Sequence, residues 1–159
     1  MSKFTDDIKA SEWAKEIEAS QANEIRLHNA KIAKAKAPIL WREVIEQIKH
    51  YCEEFKELTL KNPKFRFHVS DSPDGFLLVN DGPLPRREIQ ANLDLDGQCV
   101  KVLSRIKSSF QDQSLLKPLG FMSISVDGSD ELSFRLNSET WCTPEAIAEF
   151  FVKFVCEIK

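Results

Sequence analysis

Three histidines and four cysteines are the side chains of this chain best suited to bind a transition metal. The histidines are His28, His50 and His68, and the cysteines are Cys52, Cys99, Cys142 and Cys156. No two cysteines have CxxC spacing and no HExxH motif occurs, so neither common arrangement of zinc ligands is present. His50 and Cys52 are two residues apart, too close in sequence to share one face of a helix. We therefore predict no metal site and no bound cofactor.

Cys142 is the best single candidate for a reactive side chain. It directly precedes Thr143, the predicted N-cap of a helix, and a helix N-terminus can lower the pKa of a thiol. The alternative is a small, half-buried residue that packs beside Trp141, as free cysteines commonly do. A catalytic cysteine would also need a histidine partner, and none lies nearby in the sequence. We favour the packing interpretation.

No other motif predicts a catalytic or nucleotide-binding site. The sequence contains no Walker A motif, no GxGxxG and no GxSxG. Segment 94–97 begins like a calcium loop, but its glycine comes two positions too early and no glutamate follows at the required distance. This segment and the acidic segment 127–130 are instead predicted to be hairpin turns. We name no catalytic residue and favour a non-enzymatic protein, although a triad assembled from distant residues is left open.

The bulk composition is that of a single globular domain. The chain has 159 residues, of which 42% are hydrophobic and 30% charged, and its formal net charge is −3. A dedicated nucleic-acid binder usually has a clear basic excess, so this charge disfavours that class. The N-terminus has no apolar run of the kind found in signal peptides, and no segment approaches the ~18 apolar residues of a membrane span. We expect a soluble cytoplasmic protein whose cysteines are free thiols, with no membrane partner.

The distribution of glycine predicts helix, then strands, then helix. All five glycines lie between Gly75 and Gly128. Helices tolerate glycine poorly, whereas tight turns between strands often require it. From Lys64 to Leu136, six apolar-rich segments, most of them alternating with polar residues, are separated mostly by short turns. We therefore predict an α+β fold with a six-stranded, largely antiparallel sheet.

Two amphipathic helices are predicted to pack on one face of this sheet. The first spans about residues 39–60, with apolar residues at i, i+3, i+4 and i+7. Its apolar face consists of Trp41, Val44, Ile45, Ile48, Cys52, Phe55 and Leu58. The second spans about residues 144–158, with Thr143 as its N-cap and Pro144 at its first position. The predicted α+β domain comprises residues 38–159.

Residues 1–37 are predicted to form a helical arm in front of this domain. Segment 5–36 is rich in Ala, Glu, Lys and Ile, all of which suit a helix. Pro38 could begin a new helix or kink a continuous one, and the sequence does not decide between the two.

The arm has few apolar residues. Trp13 and Ile17 form one i,i+4 pair, and isoleucine recurs every seven residues at Ile25, Ile32 and Ile39. The partner positions of that heptad carry Gln21, His28 and Ala35. A two-stranded coiled coil is therefore poorly specified, and the arm lacks a full core face of its own.

Two groups of residues could bind an anionic partner. One is the basic end of the arm, which consists of Arg26, His28, Lys31, Lys34 and Lys36. The other is the exposed face of the sheet, whose basic residues are predicted to be Lys64, Arg66, His68, Lys101, Arg105 and Arg135. Basic residues also favour helix C-termini, and most exposed sheet faces are simply solvated, so neither group requires a ligand. A platform for single-stranded nucleic acid would carry stacking aromatics, and Phe121 is the only one predicted there.

Three functions are compatible with the sequence. The favoured one is a non-enzymatic interaction module that uses the arm to form a homodimer or to capture another protein. Its anchors would be Trp13, Ile17, Ile25 and Ile32. The first alternative is a small enzyme or ligand-binding protein with a pocket between sheet and helices, near loops 71–85 and 111–120. The second is nucleic-acid binding through the basic end of the arm, which the overall charge disfavours.

Overall fold

The computed structural model describes residues 2–158. Along the chain, helices precede and follow the strands of a single antiparallel sheet. The helices are α1 (Lys3–Glu54), α2 (Lys56–Lys61) and α3 (Pro144–Cys156), and a 3₁₀ turn spans Pro63–Phe65. The strands are β1 (Phe67–Ser72), β2 (Gly75–Asn80), β3 (Arg86–Asp94), β4 (Cys99–Lys107), β5 (Lys117–Val126), β6 (Leu132–Leu136) and β7 (Glu139–Trp141). This order confirms the predicted α+β fold and the helical character of segment 5–36.

A single helix, α1, runs through Pro38 without a break, which decides the question that the sequence leaves open, and the helix predicted over about residues 39–60 corresponds to the end of α1 together with α2. α1 has 52 residues and a length of about 78 Å at 1.5 Å per residue. Proline inside a helix removes one backbone hydrogen bond and costs ~3 kcal/mol. Ala37 and Trp41, on either side along the buried face, lie in the core, and their burial offsets that cost. The predicted domain boundary at residue 37 falls inside this continuous helix.

The C-terminal end of α1 also differs from the prediction. α1 ends at Glu54, and a one-residue interruption at Phe55 separates it from α2. The ring of Phe55 packs edge-on against Phe65 and Phe67, at centroid distances of 5.7 and 5.4 Å. Leu58, which was predicted to continue the buried face, lies in α2 and is 42% exposed.

The sheet has seven strands rather than the six predicted, and each strand pairs antiparallel with the next along the chain. The additional strand is β7, which follows β6 after a turn in which Asn137 has a φ of 56°. With three residues, β7 is too short to show a strand pattern in the sequence. β1 begins at Phe67 instead of Lys64, because Asn62 caps the 3₁₀ turn by accepting a hydrogen bond from the backbone N–H of Lys64.

The core lies between one face of the sheet and the helices α1 and α3. Trp41 of α1 is at its centre and is 1% exposed. Its ring packs on Phe76, Phe134 and Phe151, with centroid distances of 5.6, 6.4 and 6.2 Å. The indole N–H donates to the backbone carbonyl of Asp74 at 2.9 Å, so the one polar atom of this side chain is satisfied. Trp41 therefore joins α1, β2, β6 and α3 in one aromatic cluster.

α3 begins where the sequence predicts. The Thr143 hydroxyl accepts a hydrogen bond from the backbone N–H of Ala146, and Pro144 occupies the first turn, where it needs no donor. The helix ends at Cys156 and is capped by Glu157, which has a left-handed conformation and whose N–H reaches the carbonyls of Lys153 and Phe154. The buried residues are Ile147, Ala148, Phe151, Val152, Val155 and Cys156. This face makes α3 an integral part of the core.

Asn80 is the only polar residue buried in the described part of the chain, with 5% exposure. Its side-chain NH₂ group donates to the carbonyls of Lys64 and Val155, at 2.7 and 2.8 Å. Its side-chain oxygen accepts from the N–H of Gly82 at 2.7 Å. One amide thus links the 3₁₀ turn, the end of α3 and the connection after β2.

Candidate functional site

The N-terminal half of α1 projects away from the domain. Every residue from Asp6 to His28 is exposed, whereas Ala33 and Ala37 are buried. We call residues 3–27 the projecting segment. It extends about 37 Å at 1.5 Å per residue. Ser2 begins it by accepting a hydrogen bond from the backbone N–H of Thr5, so the first turn is capped.

The projecting segment carries an exposed apolar stripe. Trp13, Ile17 and Ile25 are 67%, 37% and 61% exposed. At 3.6 residues per turn they lie within about 120° of one another around the helix axis. That position is roughly opposite the side of α1 on which Ala33 and Ala37 face the core. Ile32 was predicted as a fourth anchor, but the structure places it half-buried against the core.

Three further apolar side chains of the projecting segment are exposed, and none of them was predicted as an anchor. Phe4, Ile8 and Leu27 are 73%, 45% and 54% exposed. Phe4 and Ile8 are four residues apart, the same spacing that identified Trp13 and Ile17, so a signal was present. The segment therefore exposes large apolar side chains on more than one side.

The β5–β6 turn holds the base of the projecting segment. His28 Nε2 lies 2.9 Å from Asp130 Oδ1, and Lys36 Nζ donates to the backbone carbonyl of Asp130 at 2.7 Å. The turn is ordered by Asp127, whose side chain accepts from the N–H groups of Ser129 and Glu131. Two contacts separated by two turns of helix fix where α1 leaves the domain.

The basic residues predicted to cluster at the end of the arm have different contacts. His28 and Lys36 are used to hold α1 to the domain, and Arg26 donates to the side chain of Asn23 at 2.9 Å. Lys31 and Lys34 are exposed. The cluster therefore does not form one free cationic surface.

The outer face of the sheet contains four of its six predicted basic residues, and each has a partner. His68 Nδ1 lies 2.7 Å from Asp81 Oδ2, and Lys101 Nζ lies 3.5 Å from Asp94 Oδ2. Arg105 pairs with Glu88, and Arg135 donates to the carbonyl of Asn137 at 3.2 Å. The other two, Lys64 and Arg66, lie outside the sheet, in and after the 3₁₀ turn.

Two aromatic rings are exposed near this face. Phe121 is 64% exposed, as predicted, and Phe110, from the loop after β4, is 68% exposed. Phe110 covers the guanidinium of Arg86 at 5.0 Å, a contact that strand parity could not indicate. The basic groups of this face are thus neutralised or hydrogen-bonded within the chain.

Several open grooves lie on the surface of the described structure. A groove of about 750 Å³ runs beside α3 and β7, with Trp141, Phe150 and the Arg87–Glu157 ion pair in its lining. Its described lining contains no serine, cysteine or histidine, and its carboxylates are Glu139, Glu149 and Glu157. It does not involve the loops 71–85 and 111–120. Within residues 2–158, no cluster of three or more His, Cys, Asp or Glu is arranged to hold a metal ion.

The four thiols differ in their surroundings. Burial raises the pKa of Cys52 to about 11 and the pKa of Cys156 to about 12. Burial, together with the charge of Asp94, also raises the pKa of Cys99. Cys142 is the exposed one.

We expect an alkylating reagent near pH 8 to modify Cys142 first in the folded protein. Cys52 and Cys156 should react at least about 100-fold more slowly, because they are less exposed and because burial raises their pKa to about 11 and about 12, which leaves far less thiolate at pH 8. Peptide mass mapping after timed alkylation measures this order, and alkylation in denaturant is the control. Equal rates at Cys142 and Cys156 in the folded state would contradict it.

Comparison of the chain with models of known protein families, with curated proteins and with solved structures found no match. Among the described residues, none of the helices combines the length and apolar character that crossing a bilayer requires.

Proposed function

We propose that this protein is a non-enzymatic, cytoplasmic interaction module whose projecting segment is the binding element. The observation that carries the proposal is the exposure of Trp13, Ile17 and Ile25 on one side of a helix that the domain holds away from itself. Tryptophan is enriched among the residues that dominate binding energy at protein interfaces. The rest of the chain supplies a rigid base, because the same helix continues into the core.

The energetics support a reversible complex. Burying a large apolar side chain contributes about 1.5–3 kcal/mol. Three such anchors give about 5–9 kcal/mol, which is comparable with the ~4–15 kcal/mol of free energy that the loss of translational and rotational freedom costs on association. Additional contacts from the partner are therefore needed, and the expected complex depends on concentration.

The test is a double substitution, Trp13→Ala with Ile17→Ala, in the full-length chain. We expect the affinity for the partner to fall about 30-fold or more, since the loss of even one anchor costs ~2 kcal/mol or more. A pull-down from native lysate, together with sedimentation analysis of the purified protein, measures both partner binding and oligomeric state.

The matched control is Leu115→Ala with Phe121→Ala. These side chains are 78% and 64% exposed but lie on the domain, so their removal should change neither readout. If the Trp13 and Ile17 variant kept every partner and the same oligomeric state as the unmodified protein, the projecting segment would not be the binding element.

A further inference from the structure

We propose that the projecting segment binds a second copy of this chain, with the two α1 helices antiparallel and Gln21 near the centre of the overlap. This inference rests on the proposed function and adds the identity of the partner. It is carried by the charge distribution along α1, which is self-complementary only when the second helix runs in the opposite direction.

The charge of α1 changes sign near Ile25. Segment 3–24 contains six acidic and three basic residues, whereas segment 25–37 contains four Lys or Arg residues and no acidic one. In an antiparallel pair, the acidic segment of each copy lies beside the basic segment of the other. In a parallel pair, like charges would lie side by side, and such charge patterns determine orientation in paired helices.

The charges that this pairing uses are accessible. Asp7, Glu16, Lys31 and Lys34 are all exposed. None of the four forms an ion pair with another described residue of its own chain. A second copy can therefore pair with them without breaking an existing salt bridge.

The same arrangement brings the apolar residues together. With Gln21 at the centre, Ile17 of each copy lies opposite Ile25 of the other. The exposed side of α1 continues past its contact with the β5–β6 turn through Ala35 and Ile39, and Ile39 is 65% exposed. The N-terminal part of the second helix therefore has an accessible surface to lie on.

Most of each domain lies away from the shared surface in this arrangement. Each copy attaches its domain to α1 mainly through the side that contains Ala33 and Ala37, and the β5–β6 turn also contacts His28 and Lys36 nearer the apolar stripe. With Gln21 at the centre, the Ala33 positions of the two copies are separated by about 36 Å along the helix axis. The pair has two-fold symmetry, in which each copy presents the same surface to the other.

The experiment uses full-length variants in which charge is reversed on α1. One variant carries Asp7→Lys and Glu16→Lys, a second carries Lys31→Glu and Lys34→Glu, and a third carries all four substitutions. Sedimentation equilibrium measures self-association, and circular dichroism measures helix content. Asp96→Lys with Glu139→Lys is the control for the first variant, because it makes the same change in net charge at exposed positions of the domain.

We expect the unmodified chain to dimerise, and each pair of reversals to weaken dimerisation about 10- to 100-fold. The fourfold variant should dimerise more tightly than either paired variant, because Asp7→Lys then lies beside Lys34→Glu of the other copy while Glu16→Lys still lies opposite Arg26. A mixture of the two paired variants should form a heterodimer. The control should dimerise normally. Dimerisation should also weaken towards about 1 M salt, where the Debye length falls to ~3 Å.

Two results would overturn this inference. One is an unmodified chain that stays monomeric at every concentration. If, in that case, a protein from the lysate bound the unmodified chain but not the variant with Trp13→Ala and Ile17→Ala, the proposed function would stand with a different partner. The other is a dimer that the paired reversals do not weaken, or one that the fourfold variant forms no more tightly than the paired variants do. The mixture of paired variants provides a readout independent of any one variant, since both components must fold to associate.

Discussion

Replacement of Trp41 by alanine is expected to lower the free energy of unfolding by about 4 kcal/mol. The side chain is 1% exposed and packs on Phe76, Phe134 and Phe151, so its removal leaves a cavity among three rings. It also leaves the carbonyl of Asp74 without the indole donor. Domains of this size typically have 5–15 kcal/mol of stability, so the loss is a large fraction of the whole.

Urea unfolding, followed by circular dichroism, measures the Trp41→Ala effect as a lower midpoint with an unchanged slope. Trp41→Phe is the matched variant, because it keeps a ring in the cluster and loses only volume and one hydrogen bond. We expect it to cost about 1–2 kcal/mol. If Trp41→Ala cost no more than Trp41→Phe, the aromatic cluster would not be the centre of the core.

The elements that could be predicted from the sequence are those whose signals are local. The buried face of α1 from Trp41 to Ile48 follows from its helical spacing, and the start of α3 follows from Thr143 and Pro144. The hairpin at segment 127–130 follows from its turn residues. In each of these three elements, the local propensity of the sequence and its tertiary packing favour the same structure.

Other elements depend on contacts between distant residues. α1 continues through Pro38 because Ala37 and Trp41 are buried against the sheet. The sequence around the proline does not indicate this burial. β7 owes its existence to pairing with β6, in which Trp141 lies opposite Phe134. Three residues carry too little pattern to identify a strand in advance.

The same distinction applies to the candidate site. The exposure of Trp13, Ile17 and Ile25 could be expected, since a helix with so few apolar residues cannot bury a full face. The contact of His28 with Asp130 joins residues 102 apart in sequence, and no local pattern indicates it. That contact is what converts a basic cluster into an anchor for the helix. The direction in which the segment leaves the domain is therefore a tertiary property.

Replacement of Asn80 is expected to cause the second large loss of stability, because its side chain joins three segments whose backbone groups would otherwise be unpaired. Asn80→Ala would leave the carbonyls of Lys64 and Val155 and the N–H of Gly82 without these partners. A buried group left unsatisfied costs about 1–3 kcal/mol, so we expect a total loss of about 3 kcal/mol after partial relaxation. Urea unfolding near neutral pH measures it.

Asn80→Asp separates hydrogen bonding from shape, since the two side chains have nearly the same size. The new carboxylate could still accept from Gly82, but it would face the carbonyl oxygens of Lys64 and Val155 in place of a donor. Burial and these oxygens disfavour its charge, so its pKa in the folded state should rise above the ~3.9 of the unfolded chain. The folded variant then binds more protons than the unfolded one, and its stability relative to the unmodified protein should increase as pH falls from 7 towards ~4. A loss that was equal at both pH values would show that the amide acts through its shape and not through the protons it donates.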